Sequence, residues 1–286
     1  MKLSHWLLFF GLGLAWGSSF LWIKLALGEV GPFNLVGWRL LFAILALLLV
    51  VSIMRPPLPK DRRIWGALFI LGVINTALPF WLITWAEQHI DSAVASVINS
   101  SVPLFTMLIA NFVLTDDRLT VQRVIGLLVG FGGILLLFSR ELGSAQATLI
   151  GQAAALLGAI FYALSAVFIR RTLKGVSPMV QALVPLFSAE TLIVSVALLR
   201  EGVQVPQQPI TWLALIWLGV VGSCIAYLLY YRLMHQIGPT RTTLVTYLFP
   251  VFGIVLGAIF LAEPVDAYLL GGSALILVSV AIVNRS

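Results

Sequence analysis

Displaced by 146 or 147 residues, this sequence lies over itself. Trp16 falls on Tyr162, Ser19 on Ser165, Ile23 on Ile169, Lys24 on Arg170 and Pro32 on Pro178. Further along, Ile90 falls on Ile237, Pro103 on Pro250, Phe105 on Phe252, Asp117 on Glu263 and Gly126 on Gly272. The register drifts by one residue over a whole half, so the 286-residue chain reads as two copies of one unit, residues 1–143 and 144–286.

What kind of unit is set by its apolar runs. The chain is 60% hydrophobic and 10% charged, where a soluble domain keeps about a quarter of its residues charged. Crossing the hydrocarbon core takes about 20 mostly apolar residues. Polar and Pro/Gly punctuation cuts the chain into candidate spans at 5–27, 33–54, 64–86, 92–114, 122–139, 148–169, 178–199, 210–231, 241–262 and 267–284. The expectation is an all-α integral membrane protein of ten transmembrane helices, with connections too short for a soluble domain. The run after Lys2, from about Trp6 to Leu27, is too long for a signal-peptide core and reads as a retained first helix.

Charge placement orients the spans. Of 17 Lys and Arg, thirteen fall on the side that also holds both termini, while Lys24, Arg140 and Arg200 fall on the other and Arg39 lies within the second span. Lys and Arg accumulate in cytoplasmic loops, so both termini are expected in the cytoplasm, in a multi-pass protein of the plasma (inner) membrane. The basic balance is thus a topology signal; nucleic-acid binding needs basic residues clustered on a soluble face. The lone Cys224 excludes an intramolecular disulfide framework and a multi-cysteine metal site.

Five spans per copy is an odd number, so the second copy must insert upside down. Inverted repeats of this kind build transporters whose solute site lies near midplane between the repeats.

The residues also carry a family resemblance. WGSSFLWIKLAL (Trp16–Leu27), the spacing of Pro32 and Arg39, and AEQHIDSAVASVINSSVPLFTMLIANFVLTDDRLTVQRVIG resemble the first EamA unit of the drug/metabolite transporter superfamily. HQIGPTRTTLVTYLFPVFGIVLGAIFLAEPVDAYLLGG resembles the end of the second unit. The resemblance implies two inverted five-helix halves carrying small metabolites or amphipathic compounds, often outward. Asp117-Arg118 departs from the usual Glu-Pro after the fourth helix, and Tyr162-Ala163 from Trp-Gly in the second copy.

Repeat equivalence points to the faces that line a path. In the third span Thr76, Phe80, Thr84 and Glu87 share a face, and their shifted partners in the eighth are Ser223, Tyr227, Tyr231 and Met234. Ser92, Ser96, Asn99, Ser100 and Pro103 form a stripe in the fourth span, matched by Pro239, Thr243, Thr246, Tyr247 and Pro250 in the ninth. Such stripes face protein or a wet cavity rather than lipid; interhelical hydrogen bonding is the alternative use. Asn75, Trp81, Trp16 and Tyr162 complete the set, since Trp and Tyr suit an amphipathic or aromatic solute. Pro103 and Pro250 are expected to be hinges, with the freed carbonyls of Asn99 and Thr246 turned toward the path.

Two full charges lie inside spans. Arg39 is expected to meet an anionic group, on the solute or on Glu190, and Glu190 is the candidate for proton coupling. The pairs Gly126/Gly130 and Gly253/Gly257 permit close helix approach, within the chain or in a homodimer through the fifth and tenth spans.

The expectation is therefore a metabolite transporter, an exporter working by alternating access, with a small-molecule solute and the bilayer as partners and no cofactor or metal. A lipid flippase and a non-transport membrane subunit are the competing readings. An enzyme is not expected: no HExxH motif occurs, and His5, His89 and His235 lie near span ends.

Overall fold

The computed structural model of the chain describes residues 3–113, 120–139, 146–237 and 244–283, which form helices and no strand. Eight helical stretches are long and apolar enough to cross a membrane: α1 (His5–Ala26), α2 (Pro32–Met54), α3 (Arg62–Ala86), α4 (Ser92–Val113), α5 (Val121–Ser139), α6 (Thr148–Thr172), α7 (Pro178–Arg200) and α8 (Pro209–Tyr230). Two shorter apolar helices follow, α9 (Val245–Leu261) and α10 (Ala267–Val283). The helix of α8 runs on to Ile237 rather than ending near residue 231. Pro239 and Thr243, expected to start the ninth span, lie outside the described residues.

The distribution of side chains suits a lipid solvent. Leu49, Phe112, Leu128, Leu135, Leu199 and Phe260 are exposed, whereas Thr84, Glu87, Ser96, Ser101 and Gln152 are wholly buried. Water would reward the opposite arrangement. Hydrocarbon rewards this one, because it cannot hydrogen-bond a polar group.

Glycines set the closest contacts. A Cβ on Gly126 would lie 2.6 Å from Val283 Cγ2, and one on Gly133 would lie 2.8 Å from the Gly272 carbonyl oxygen. The backbones of α5 and α10 therefore touch along this seam. A Cβ on Gly253 of α9 would meet Ser96 Oγ of α4 at 2.0 Å. Both glycine pairs are thus used within the chain.

The prolines answer to helix geometry. Pro32, Pro178 and Pro209 open α2, α7 and α8, where a first-turn N–H has no intrahelical acceptor anyway. Pro79, Pro103 and Pro250 each fall in the first turn of a renewed α-helical segment. The segments are Leu78–Ala86, after a π-helical turn at Val73–Ala77; Val102–Val113, after a break at Ser100–Ser101; and Leu248–Leu261, after a 3₁₀ turn at Leu244–Tyr247. Pro103 follows a break in α4 and Pro250 follows a 3₁₀ turn, at equivalent positions of the two copies, and the residues just before Leu244 lie outside the described residues. A second equivalence joins the π-helical turns, Val73–Ala77 in α3 and Trp217–Ile225 in α8. π-turns widen a helix locally and concentrate at functional sites. Among the described prolines only Pro185 lies inside an unbroken helix, α7.

One end of the bundle is stitched across the two copies by carboxylates at helix N-termini. Glu201, after α7, accepts from the Phe33 and Asn34 backbone N–H groups at 3.1 and 3.0 Å, at the start of α2. Glu263, after α9, accepts from Ser92 and Ala93 N–H at 2.7 and 2.9 Å, at the start of α4. Glu29, after α1, accepts from the N–H groups of Gln207 and Gln208, before α8. Each carboxylate satisfies orphan first-turn donors and meets the positive end of a helix dipole. This is the end poor in Lys and Arg.

The core has the same polarity. Toward the charge-poor end one buried cluster joins both copies, including Phe20, Ile23, Leu35, Ile83, Ala93, Ala163, Leu215 and Leu218. That cluster runs on to Leu127, Val280 and Val283 near the arginine-rich end, where two smaller clusters stand apart from it. Phe9, Leu12, Ala226, Leu233 and Val245 form one group, from α1, α9 and the helix of α8; Ala67, Leu68, Leu71, Leu173 and Val180 form another, from α3 and the start of α7.

Candidate functional site

A polar and aromatic cluster lies where α2, α3, α6 and α8 meet, beside the two π-helical turns. Asn75 is presented by the π-turn of α3. Its Oδ1 lies 2.6 Å from Ser165 Oγ on α6, and its side chain also bonds Tyr227 on α8. Arg39 of α2 is buried, with its Cζ 3.8 Å from the centre of the Phe80 ring. A cation over an aromatic face is worth about 0.5–2 kcal/mol, more as water is excluded. Tyr162, Tyr227 and Glu87 are the ionisable groups that face Arg39.

Arg39 and Glu190 do not pair. No hydrogen bond reaches Glu190 Oε2 or Arg39 Nε from the described residues. Among these residues Arg39 engages the Phe80 ring. Repeat equivalence of α2 and α7 matched the depth of the two charges, while the azimuth of each side chain around its helix was set by packing.

An aromatic wall continues from this cluster. Trp81 stacks on Phe33 of α2 with centroids 5.2 Å apart, Trp85 lies 6.5 Å beyond it, and His89 is 4.5 Å from Trp85. Phe33 was not expected here; its place before Arg39 at the start of α2 gave no polar or repeat signal. Ser165 was visible in the repeat register opposite Ser19 but carried no role. Glu87 was visible on the stripe Thr76–Phe80–Thr84–Glu87, at the end of the third span, but carried no role. The structure buries it completely.

The other expected residues divide. Thr76 and Thr84 are buried on α3, and Ser223 in the π-turn of α8 bonds back to Leu218 O at 3.0 Å. Asn99 and Ser100 flank the break in α4; Ser100 bonds Val97 O, and Asn99 Oδ1 is buried without a partner among the described residues. Thr246 and Tyr247 belong to the 3₁₀ turn of α9. Trp16 is not in the Asn75 cluster. It packs against Tyr230 and Phe249, 5.6 and 6.0 Å between centroids, on the α1–α8–α9 side. The side chain of Tyr231 lies outside the described residues.

Two copies of a helical unit, a central polar cluster drawn from both, and an apolar exterior define a membrane transporter. The sequence profile of the EamA-like transporter family matches residues 3–139 and again 149–285, and the chain belongs to that family. It is 28% identical over 249 residues to the uncharacterised inner membrane transporter YedA of Escherichia coli K12, covering 87% of this chain and 80% of YedA. It is 22% identical over 267 residues to the uncharacterised transporter YoaV of Bacillus subtilis, covering 92% and 90% of the two chains. An Archaeoglobus fulgidus transporter is 25% identical over 274 residues, covering 94% and 95%. A solved crystal structure shares the fold at TM-score 0.70 and 22% identity, covering 99% of this chain and 98% of the other.

Proposed function

We propose that the chain is a secondary transporter that moves small metabolites, amino-acid-like or amphipathic and aromatic, outward by alternating access. The observation that carries this reading is the Arg39–Phe80–Asn75–Tyr162–Tyr227 cluster. It is drawn from both copies and lies between the carboxylate-capped charge-poor end and the arginine-rich end, where two smaller apolar clusters stand apart from the main core. Arg39 would meet an anionic group on the solute, and the Phe, Tyr and Trp faces would take its flat apolar part. Ten spans with the second copy inverted place the arginine-rich end in the cytoplasm of an inner membrane, so the form described here opens inward. The breaks at Pro103 and Pro250 serve as the paired hinges.

A thermal-shift panel on the detergent-solubilised protein tests this, with amino acids, nucleosides, organic anions and cationic drugs. A stabilising hit that disappears in Tyr227→Ala and in Asn99→Ala supports the site and the class of solute. No hit in any class, with reconstituted vesicles that scramble lipid, replaces this reading with a lipid flippase. Neither a hit nor scrambling would leave a non-transport subunit.

A further inference from the structure

Glu87 differs from the other buried acids of the charge-poor end. Glu201 and Glu263 each accept two backbone N–H bonds and a side-chain bond, from Asn34 and Ser92 respectively. Neither oxygen of Glu87 has a hydrogen-bond partner among the described residues, and the side chain is 0% exposed. Thr84 Oγ1 and Trp81 Nε1, one and two steps of three residues before it on α3, are likewise buried and without partners among the described residues. The three groups share one face of the helix. Removing an ionised carboxylate from water without donors costs several kcal/mol, a penalty that the neutral acid avoids.

The charged groups facing Glu87 are Lys24 of α1, Arg39 of α2 and Glu263 after α9. Neither cation forms an ion pair with it. The Lys24 ammonium donates to the backbone carbonyls of Glu87 and Ile90 at 2.6 and 2.8 Å, and the Arg39 guanidinium covers Phe80. The dry surroundings and Glu263 favour the neutral acid, while Lys24 and Arg39 favour the carboxylate. Neither Glu87 oxygen receives a hydrogen bond from the described residues, so the neutral acid is the form the closely packed site accommodates.

We propose that Glu87 is a proton-binding site and the carboxylate that carries the coupling proton of the transport cycle, a role that rests on the transporter reading above. In the closed form it holds the proton on a carboxylate oxygen. Opening the charge-poor end pulls α1 from the turn after α3, which releases the Lys24 ammonium from the two carbonyls and admits water. The carboxylic acid then gives its proton to that water, and the carboxylate is stabilised by Lys24. Reclosure requires a proton to return to the same oxygen. Glu190, half-buried and without a facing charge, lacks this arrangement.

Infrared titration of the reconstituted protein tests the proton site without any solute. Wild type should show a protonated-carboxyl C=O band at neutral pH that fades on alkaline titration; the band should be lost in Glu87→Gln, kept in Glu190→Gln, and kept with a shift in Glu87→Asp. A band unchanged in Glu87→Gln overturns the proposal, and if that variant fails to fold, an unshifted band in Glu87→Asp overturns it equally. The coupling role is read with a solute identified by the thermal-shift panel. Accumulation driven by a pH gradient should fall at least tenfold in Glu87→Gln while solute exchange without a gradient persists; undiminished accumulation overturns the role. If no solute moves in wild type, the transporter reading and the coupling role fall together, and the infrared band decides the proton site separately.

Discussion

Asn34 and Glu201 hold the two copies together at the charge-poor end of the molecule. Glu201 Oε2 accepts both the backbone N–H and the side-chain Nδ2 of Asn34, at 3.0 and 2.9 Å, while Asn34 Oδ1 accepts from Gln204 N–H at 3.0 Å. Asn34 begins α2 in one copy, and Glu201 follows α7 in the other. A capping carboxylate of this kind is worth about 0.5–2 kcal/mol.

Glu201→Gln and Asn34→Ala should each lower the thermal midpoint by a few degrees. The double variant should fall short of their sum, since both remove the same bonds. Additive losses in a double-mutant cycle would show that the contact does not hold the end closed.

Acid should loosen the same end through Glu29. The Thr211 hydroxyl, with the Gln207 and Gln208 N–H groups, holds the Glu29 carboxyl below its ordinary value. The sign follows from linkage: stability from a lowered carboxyl is fully present above its unfolded pKa, about 4.3, and is lost as pH falls through the lower folded value. Thermal midpoints of wild type should therefore drop more than those of Glu29→Gln between about pH 5 and pH 3. Parallel curves would refute the linkage.

Gly253 is held by space. An alanine there would meet Ser96 Oγ at 2.0 Å and Ser96 Cβ at 2.4 Å, so Gly253→Ala should cost about 1–3 kcal/mol by overpacking. Adding Ser96→Gly should recover most of it, because both contacted atoms are removed. Thermal unfolding of the two single variants and the pair reads this directly.

Asn75→Ala removes a partner of both Ser165 and Tyr227. Ser165 Oγ keeps its bond to the Tyr162 carbonyl oxygen at 2.7 Å, so the cost is that of the lost buried hydrogen bonds, about 0.5–1.5 kcal/mol each, and the stabilisation given by any solute should fall with it. Asn75→Ala with full solute stabilisation would move the site away from the π-turn of α3.

The prolines can be separated from the serines that accompany them. Pro103→Ala should leave the fold intact and binding within twofold, because the break at Ser100–Ser101 precedes it and the first-turn N–H it restores has little to bond. Solute exchange in vesicles should slow if the break is a hinge that proline keeps from healing. Unchanged exchange in both Pro103→Ala and Pro250→Ala would remove the hinge role.

Much of this was legible in the chain alone. Apolar runs and loop charges are local quantities, so the spans and their punctuation could be read residue by residue. The repeat, too, is a property of sequence, and it pointed to α3 with α8 and α4 with α9 as matched pairs. The structure then supplied breaks and π-turns at those matched positions. Thr76, Phe80, Asn75 and Tyr227 were named for their faces and their matches.

Azimuth and long-range partners were decided only by the tertiary structure. Arg39 and Glu190 lie at similar depth, but depth along a helix does not say which neighbour a side chain meets, and Arg39 turned to Phe80. Trp16 and Tyr162 are equivalent by register yet stand in different surroundings, because two copies of one unit need not keep identical contacts. Glu87 stood at the end of its span with no role assigned, because sequence records distance from a span end and not the helices that fold over it. The sequence by itself determined a duplicated, lipid-facing helical bundle, since hydrophobicity, loop charge and repetition act locally. Which charges are buried, unpaired and therefore able to hold a proton was decided by the packing of α1, α2 and α9 around the end of α3.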